Sequence, residues 1–556
     1  MVQKPISAET ALKRLLRRNY NNHKEYSTDA YRGRLAALIL GTGVMRLRHW
    51  YVVSSCQNNN TILLPYPLDA SLLSLVPKYN TSDVGANNNH NRSDVAANNH
   101  NTIEERSLVR AMVDEHACYL STSNPTLPTL QPNSQCNDAA SNLLSVRYSL
   151  PPFLTSSLIS HYGFTMTKQI CSLMNKPGPI TIRRNAIRFA GTDEELCTWL
   201  WEEDGIHAEP LATLLEGCRM HENAQTKPTM TASSDGSHRY VMQSLSIPGS
   251  VMPCEGTIQI IPTHTNNATT LVEQRRGQKS IWSMKGWQSG YFEVQDAGSA
   301  LIVQSLEVKP GESILDYCAG NGGKTFAIAS AIMSAATNAS NSENNIHSHI
   351  VAHDVVRDRL LQIKGSLPRV GFVATEREIL DNGTIHTAQS TCDDCNCTVD
   401  IDISSDLDTA HNSAPSSFDS VLVDAPCSST GTLRRRPSQR WDITEKQIFE
   451  ELPDLQLEIL ENAAAFVDEN GGRLVYSTCS LLKEENEDVV RKFEQSSVFQ
   501  RGDFMPWKFA PITSNGEVGH DVDRDGGVDS HTLTLLPSET GSDGFFFARW
   551  KRGQKS

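Results

Sequence analysis

The sequence predicts an α/β protein whose second half is a doubly wound, largely parallel sheet. Three observations carry that prediction. From Gly286 onward, short apolar runs alternate with stretches of helical spacing, the rhythm of strands joined by crossover helices. The first run, Ser313-Ile314-Leu315-Asp316, leads directly into a glycine-rich turn and then a helix. Two later runs end in polar turns that each hold a cysteine, Cys427 and Cys479. Open α/β sheets place their sites there, beyond the carboxyl ends of strands.

Composition sets the outer bounds. The chain has 556 residues, enough for two or three domains. At 38% hydrophobic and 21% charged it is globular on average. No apolar run reaches the roughly 18 residues of a membrane span, and no signal-peptide pattern opens the sequence. The 13 cysteines are odd in number and scattered, unlike a secreted disulfide scaffold. The expectation is a soluble intracellular protein with reduced thiols and no membrane partner. The formal charge of -14 is unevenly spread: residues 1–50 hold ten Lys or Arg against three acids, and 381–424 hold nine Asp and no Lys or Arg. Local patches, not the total, therefore decide whether a polyanion can bind.

Residues 1–149 read as a helical region. Ala11 to Leu16 and Leu35 to Leu40 have helical spacing, and the basic start also fits a mitochondrial transit peptide. Ser82–Asn91 is nearly repeated by Ser93–Asn101; this Asn-rich pair buries no apolar surface and reads as a disordered insertion near 80–102. Residues 150–285 read as α+β: a helix over Leu154–Tyr162, a strand over Ile180–Arg183, and a capped helix from Thr192 to Glu202. In residues 286–556 the strand candidates are Ser313–Asp316, His349–Ala352, Asp419–Val423 and Gly472–Tyr476, with helices after the first, second and fourth. Polar insertions are expected at Ser334–Ser348, at Gly383–Pro415 around one short strand, and at Ser514–Thr540.

The chemistry concentrates at the ends of those strands. In Asp316-Tyr317-Cys318-Ala319-Gly320-Asn321-Gly322-Gly323-Lys324-Thr325, glycines let the backbone approach a ligand and the helix start offers free N–H groups. The spacing is neither a P-loop nor a dinucleotide fingerprint, and a plain tight turn is the bland alternative. Asp354 ends the second strand, where an acid can accept from both hydroxyls of a ribose or simply sit at a helix start. Asp424-Ala425-Pro426-Cys427 ends the third strand and Ser477-Thr478-Cys479-Ser480 the fourth. A buried structural cysteine is the default for one such residue; two in matching positions point to a site. Arg434, Arg435, Arg436 and Arg440 follow the first cysteine turn and read as phosphate contacts or as a solvated basic loop. Cys392-x-x-Cys395-x-Cys397 lacks a second pair at ligand spacing, so no metal is expected.

Together these residues resemble the Nop/Sun, RsmB-like family of RNA cytosine-carbon-5 methyltransferases. The resemblance runs from about Leu150 to Lys551 and is strongest from Gly290 to Glu487. It includes Tyr291 to Ser299 before the cofactor loop, Gly431 to Trp441 after the Asp-Ala-Pro-Cys motif, and Gly544 to Arg549 at the end. The cofactor loop departs from the family pattern, with Gly320-Asn321 where Ala-Pro is common; both residues still permit a tight turn. The resemblance implies a Rossmann-like methyltransferase domain, a preceding RNA-recognition-like segment whose strand end is Arg183-Arg184-Asn185, and a NusB-like N-terminal region.

It further implies S-adenosylmethionine as cofactor, held by Cys318, Ala319, Gly320, Asn321, Gly322, Gly323, Lys324, Asp354, Asp424 and a third acid. Asp402 is the choice for that acid, with Asp400 and Asp406 close behind. The implied chemistry is attack by Cys479 on cytosine carbon 6, with Cys427 assisting proton removal and release, and Asp424 holding the base; the alternative for Lys324 is to face the substrate. RNA is the implied partner, ribosomal RNA ahead of transfer RNA, with a monomer and no DNA expected. A non-catalytic RNA-binding or assembly factor, and a methyltransferase acting on DNA or protein, remain the alternatives. The separate Thr478-Cys479-Ser480 turn weighs against a DNA enzyme.

Overall fold

The structure is a computed structural model that describes residues 137–176, 178–211, 256–261, 281–338, 345–375, 386–392, 396–407, 417–509 and 531–553. The expected N-terminal helices, the Asn-rich repeat and the transit-peptide alternative lie outside these residues.

Two compact units form, and the described part of the first comprises residues 137–175 and 435–445. Its helices α1 (Asn137–Tyr148) and α2 (Pro152–Leu173) pack together. Pro152 starts α2 at the first position, where its missing N–H costs nothing. Ser141 Oγ and Thr155 Oγ1 meet at 2.7 Å across the hairpin, and Gly163 (φ 72, ψ 168) breaks α2 midway. Arg440 completes this unit. It is fully buried, donating to the carbonyls of Pro437 (2.9 Å), Tyr148 (3.2 Å), Ser149 (3.2 Å) and Met174 (3.2 Å) and to Asn175 Oδ1 (2.7 Å). The expectation that Arg440 meets RNA phosphate is thereby corrected: its donors are spent inside the protein.

The second unit holds two sheets. The smaller is built from β1 (Ile180–Arg184), β2 (Ala208–Pro210), β3 (Thr257–Ile260) and β4 (Phe292–Val294), in the order β2-β3-β1-β4 with every pair antiparallel. Helix α3 (Asp193–Trp199) begins in a capping box between Thr192 and Glu195, as Thr-x-x-Glu predicts. Ile182, Leu196, Leu200, Ile258 and Phe292 bury its apolar face. The fourth strand comes from beyond residue 286, so the seam between the sheets falls after Val294 rather than at the expected boundary. Asn185 bridges the seam, donating to the carbonyls of Gly290 (2.8 Å) and Val370 (2.9 Å).

The larger sheet follows helix α4 (Ala297–Gln304) and is wound as β5 (Ser313–Asp316), α5 (Gly323–Asn338), β6 (Ile346–His353), α6 (Arg357–Val370), β7 (Val373–Thr375), β8 (His386–Cys392), β9 (Cys397–Ser404), β10 (Ser420–Asp424), α7 (Leu452–Ala464), β11 (Arg473–Thr478), α8 (Glu487–Glu494), β12 (Phe504–Pro506), β13 (Thr532–Leu535) and β14 (Phe545–Arg552). The strand order is β12-β14-β11-β10-β5-β6-β9-β8-β7, with β13 also on β14. The five central strands are parallel and the outer ones antiparallel. From β5 the chain moves to β6 and β9 on one side, then returns to β10 and β11 on the other. This reversal opens a crevice past the carboxyl ends of β5 and β10.

All four predicted strands are present, but three expectations need correction. The stretch Gly383–Pro415 is not a loop around one short strand: β8 and β9 form an antiparallel pair, and β9 lies parallel to β6. The alternation of Val399, Ile401 and Ile403, all buried, was the legible signal. A helix, α7, also follows the third strand, after a long loop. Parts of two supposed insertions are regular structure, since Ser334–Asn338 ends α5, Ile346–Ser348 starts β6, Thr532–Leu535 is β13 and Pro537–Thr540 is a short helix; residues 339–344 and 514–530 lie outside the described residues.

Candidate active site

The glycine-rich turn after β5 closes on itself and on β6. Gly322 N–H donates to the Ala319 carbonyl (2.9 Å) and Ala319 N–H to the His353 carbonyl (2.8 Å). Gly320 (φ 56) and Gly322 (φ 84) adopt left-handed backbone, which side chains with a Cβ resist. No atom lies within 4 Å of where a Cβ would stand on Gly320 or Gly323, so the loop is open above its backbone. Asp354 is buried at the end of β6, accepting from Gly320 N–H (2.9 Å) and Val356 N–H (2.7 Å), with Arg359 at 3.8 Å. Its carboxylate therefore shapes the loop while keeping further lone pairs for a ligand.

At the floor, Asp316 is fully buried and accepts from Thr325 Oγ1 at 2.7 Å. Burial raises its pKa from 3.8 to about 7. One strand over, Asp424 Oδ2 pairs with Lys324 Nζ at 2.6 Å and Oδ1 accepts from Ser477 Oγ at 3.0 Å. Burial works against the Lys324 charge, but the Asp424 carboxylate outweighs it and holds the ammonium above its usual pKa.

The two cysteines meet beside that pair. Cys427 Sγ and Cys479 Sγ stand 3.4 Å apart, brought together from parallel neighbours β10 and β11. The thiols are unequal. The hydrogen bond from Cys427 lowers the pKa of Cys479 against the opposing effect of burial, with Ser429 and Lys324 helping. The same bond, together with burial and the charges of Cys479 and Glu485, pushes Cys427 well up. Cys479 is thus the more acidic of the two thiols and Cys427 the one that holds its proton more firmly. Ser429, two residues after Cys427, is held at φ 57, an uncommon conformation for a residue with a Cβ.

The remaining predicted residues separate. Asp402 does not reach the crevice: its Oδ2 lies 2.8 Å from His349 Nε2, midway along β6 and β9. Asp406 instead follows the carboxyl end of β9, close enough to influence His353. Arg434 is buried in an ion pair with Asp543 and donates to the Gly541 carbonyl at 2.9 Å, which corrects its reading as a phosphate contact. Arg435 and Arg436 are exposed. Cys397 is buried in the core.

Sequence reasoning missed the polar group under the cysteine turns: Glu485, Gln456, Ser480, Thr430 and Asn486, all fully buried. The signal was Glu485-Asn486 just after the apolar Leu481-Leu482, polar residues that a bare turn does not need.

Residues 303–551 match the family model described as 16S rRNA methyltransferase RsmB/F. This part of the chain is similar to the RsmB/F family. The match takes in the glycine-rich turn, both cysteine turns and β14. Among curated RsmB/F relatives, a probable ribosomal RNA small subunit methyltransferase B from Synechocystis is 30% identical over 49% of this chain and 50% of its own length. The ribosomal RNA small subunit methyltransferase B of Salmonella arizonae is 32% identical over 48% of this chain and 49% of its own. The chain thus spans about half the length of the curated relatives it matches. The solved structure of PH0851 resembles the whole chain in fold, with a TM-score of 0.55 at 19% identity, covering 99% of this chain and 100% of that one. Among the described residues, no helix is long and apolar enough to cross a membrane.

Proposed function

We propose that this protein transfers a methyl group from S-adenosylmethionine to carbon 5 of cytosine in RNA through a covalent cysteine adduct. The observation that carries the reading is the pair of thiols 3.4 Å apart beside the Lys324–Asp424 ion pair, at the reversal point of the sheet. The names of the relatives favour ribosomal RNA as the substrate over transfer RNA.

The residues fit the cofactor. The open glycine turn, Cys318 to Lys324, offers backbone N–H groups at a helix start, and Asp354 stands at the next strand end for the ribose. For the third acidic contact we substitute Asp406, because Asp402 is turned toward His349. When bound, S-adenosylmethionine supplies an electrophilic methyl group. The work of this chain is to make carbon 5 nucleophilic. Cys479 thiolate bonds to carbon 6 and drives the ring electrons toward carbon 5. Asp424 holds the exocyclic amine and ring nitrogen, its position fixed by Lys324 and Ser477.

Once Cys479 is a thioether it no longer carries charge or accepts the Cys427 proton. The two strongest Cys479 effects on Cys427 then vanish, and its thiol becomes more acidic. With its own proton released to solvent, Cys427 thiolate can then remove the carbon 5 proton as the carbon–sulfur bond breaks, returning Cys479 as thiolate. A flipped-out base in a single-stranded or loop region suits such a crevice. In domain terms we assign the α+β sheet the RNA-recognition role and the larger sheet the transfer.

The test is Cys427→Ala mixed with cellular RNA and cofactor. A denaturation-resistant protein–RNA band that vanishes on adding Cys479→Ala supports the assignment, and sequencing the trapped RNA names the target. No band, with no methyl incorporation by the native protein on the same RNA, overturns it.

A further inference from the structure

Beneath the two cysteine turns lies a buried carboxylate that the reaction as described does not use. Glu485 is fully buried in the short turn after β11. One of its oxygens, Oε2, accepts the N–H of Ser428 at 2.8 Å and the amide of Gln456 at 3.0 Å. Ser428 directly follows Cys427, and the same Gln456 amide also reaches the carbonyl of Pro426 (2.9 Å), directly before it. Its other oxygen, Oε1, accepts from Ser480 Oγ at 2.8 Å, and Ser480 directly follows Cys479. Ser480 Oγ also meets Ser428 Oγ and Thr430 Oγ1, each at 3.2 Å. The main chain joins in: Leu481 N–H donates to Thr430 Oγ1 (2.9 Å) and Gly431 N–H to the Cys479 carbonyl (2.9 Å).

We propose that Glu485 is a positioning residue for the cysteine pair: its single buried carboxylate ties the Cys427 turn to the Cys479 turn and so sets the distance between their sulfurs. The inference rests on the cysteine roles assigned above. Parallel strands β10 and β11 bring the two turns to the same edge of the sheet, but their register ends at Asp424 and Ser477 and their last main-chain bond runs from Ala425 N–H to the Ser477 carbonyl (2.9 Å), before either cysteine. Beyond that point only side chains and turn backbone can fix the geometry. A carboxylate is suited to the task because it accepts on both oxygens at once, and every group aimed at it is a donor. Its bonds to Ser428 and Ser480 have no counterpart if the residue is apolar, and an amide there would turn a donor toward at least one of them. Burial raises the pKa of Glu485 above the usual carboxylate range, and the surrounding donors offset only part of that rise. When ionised, the acid also places a negative charge on the Cys427 side, which favours the protonated Cys427 thiol.

The test uses the full chain without RNA, so it stands apart from whether the protein methylates RNA. Glu485→Gln and Ser480→Ala are compared with the native protein. Two quantities are read: the rate at which diamide joins Cys427 to Cys479, mapped by mass spectrometry, and the pH profile of Cys479 alkylation by iodoacetamide. We expect the joining rate to fall about tenfold in each variant, as the loss of a buried charge-assisted hydrogen bond implies, and the Glu485→Gln alkylation profile to shift along the pH axis. The unfolding midpoint identifies any variant that fails to fold. A folded Glu485→Gln protein with native joining rate and native profile overturns the proposal. Where Glu485→Gln does not fold, an unchanged joining rate in Ser480→Ala overturns it. Native protein that methylates no RNA, yet loses cysteine joining in these variants, strikes the proposed function and leaves the positioning role standing.

Discussion

Replacing Arg440 by Met separates the two ways an arginine that follows the Cys427 turn in the chain can act. Methionine keeps most of the stem but removes a guanidinium with five hydrogen bonds. Burial lowers the Arg440 pKa only to about 10, so the group is charged at neutral pH. Two of its bonds, to the carbonyls of Ser149 and Met174, are wholly buried. At about 1–3 kcal/mol for each buried acceptor that loses its donor, the cost is roughly 2–6 kcal/mol. That loss should appear as early unfolding and faster amide exchange across α1 and α2. RNA affinity should weaken without a change in salt dependence, whereas Arg436→Gln should flatten the plot of log affinity against log salt by about 0.7 and leave stability unchanged. A stable Arg440→Met protein whose salt slope falls by that amount would refute the reasoning and restore Arg440 to the RNA surface.

Three further outcomes follow from the site. Asp316 holds a proton in the folded protein up to about pH 7 that the unfolded chain loses near 3.8, so stability is greatest in acid and declines through that window as pH rises. Asp316→Asn should abolish a decline of up to about 4 kcal/mol, measured by urea unfolding between pH 4 and 8; an unaltered pH dependence would show that Asp316 is ionised throughout. Because the Cys427 thiol is the largest influence lowering Cys479, Cys427→Ala should move the alkylation midpoint of Cys479 upward, and a midpoint that stays or falls contradicts the proton placement. At Gly431 a Cβ would stand 2.1 Å from the Gly544 carbonyl oxygen, so Gly431→Ala should cost at least about 1–3 kcal/mol by thermal unfolding and suppress adduct formation; native stability would mean the turn can move away from β14 without penalty.

Much of this molecule was legible in its sequence because the informative signals are local. Strand runs that end in polar turns, a glycine-rich bend before a helix, and the Thr-x-x-Glu box at α3 each depend on residues within a few positions of one another. The four strand candidates, Asp424, both cysteines and the cofactor turn came from such signals. Strand β9 was hidden by its acidic neighbours, although its alternate residues are apolar, and α7 by the long loop that delays it.

What only the tertiary structure decided concerns partners far apart in the chain. A run of four arginines at one loop carries no local mark of which side chains face inward; Arg440 finds its acceptors about 265 to 292 residues away, and Arg434 finds Asp543. Three aspartates spaced along one segment look alike until β6 lies beside β9 and His349 claims Asp402. Glu485 acquires meaning only when β10 and β11 bring Ser428 and Ser480 to the same carboxylate. The sequence by itself determined which chemical groups stand at the strand ends, since strand, turn and helix follow from short-range sterics and apolar spacing. Burial and long-range hydrogen bonding then determined which of those groups remain free to act, because the donors of a guanidinium and the lone pairs of a carboxylate are finite, and those engaged by the fold are withdrawn from substrate.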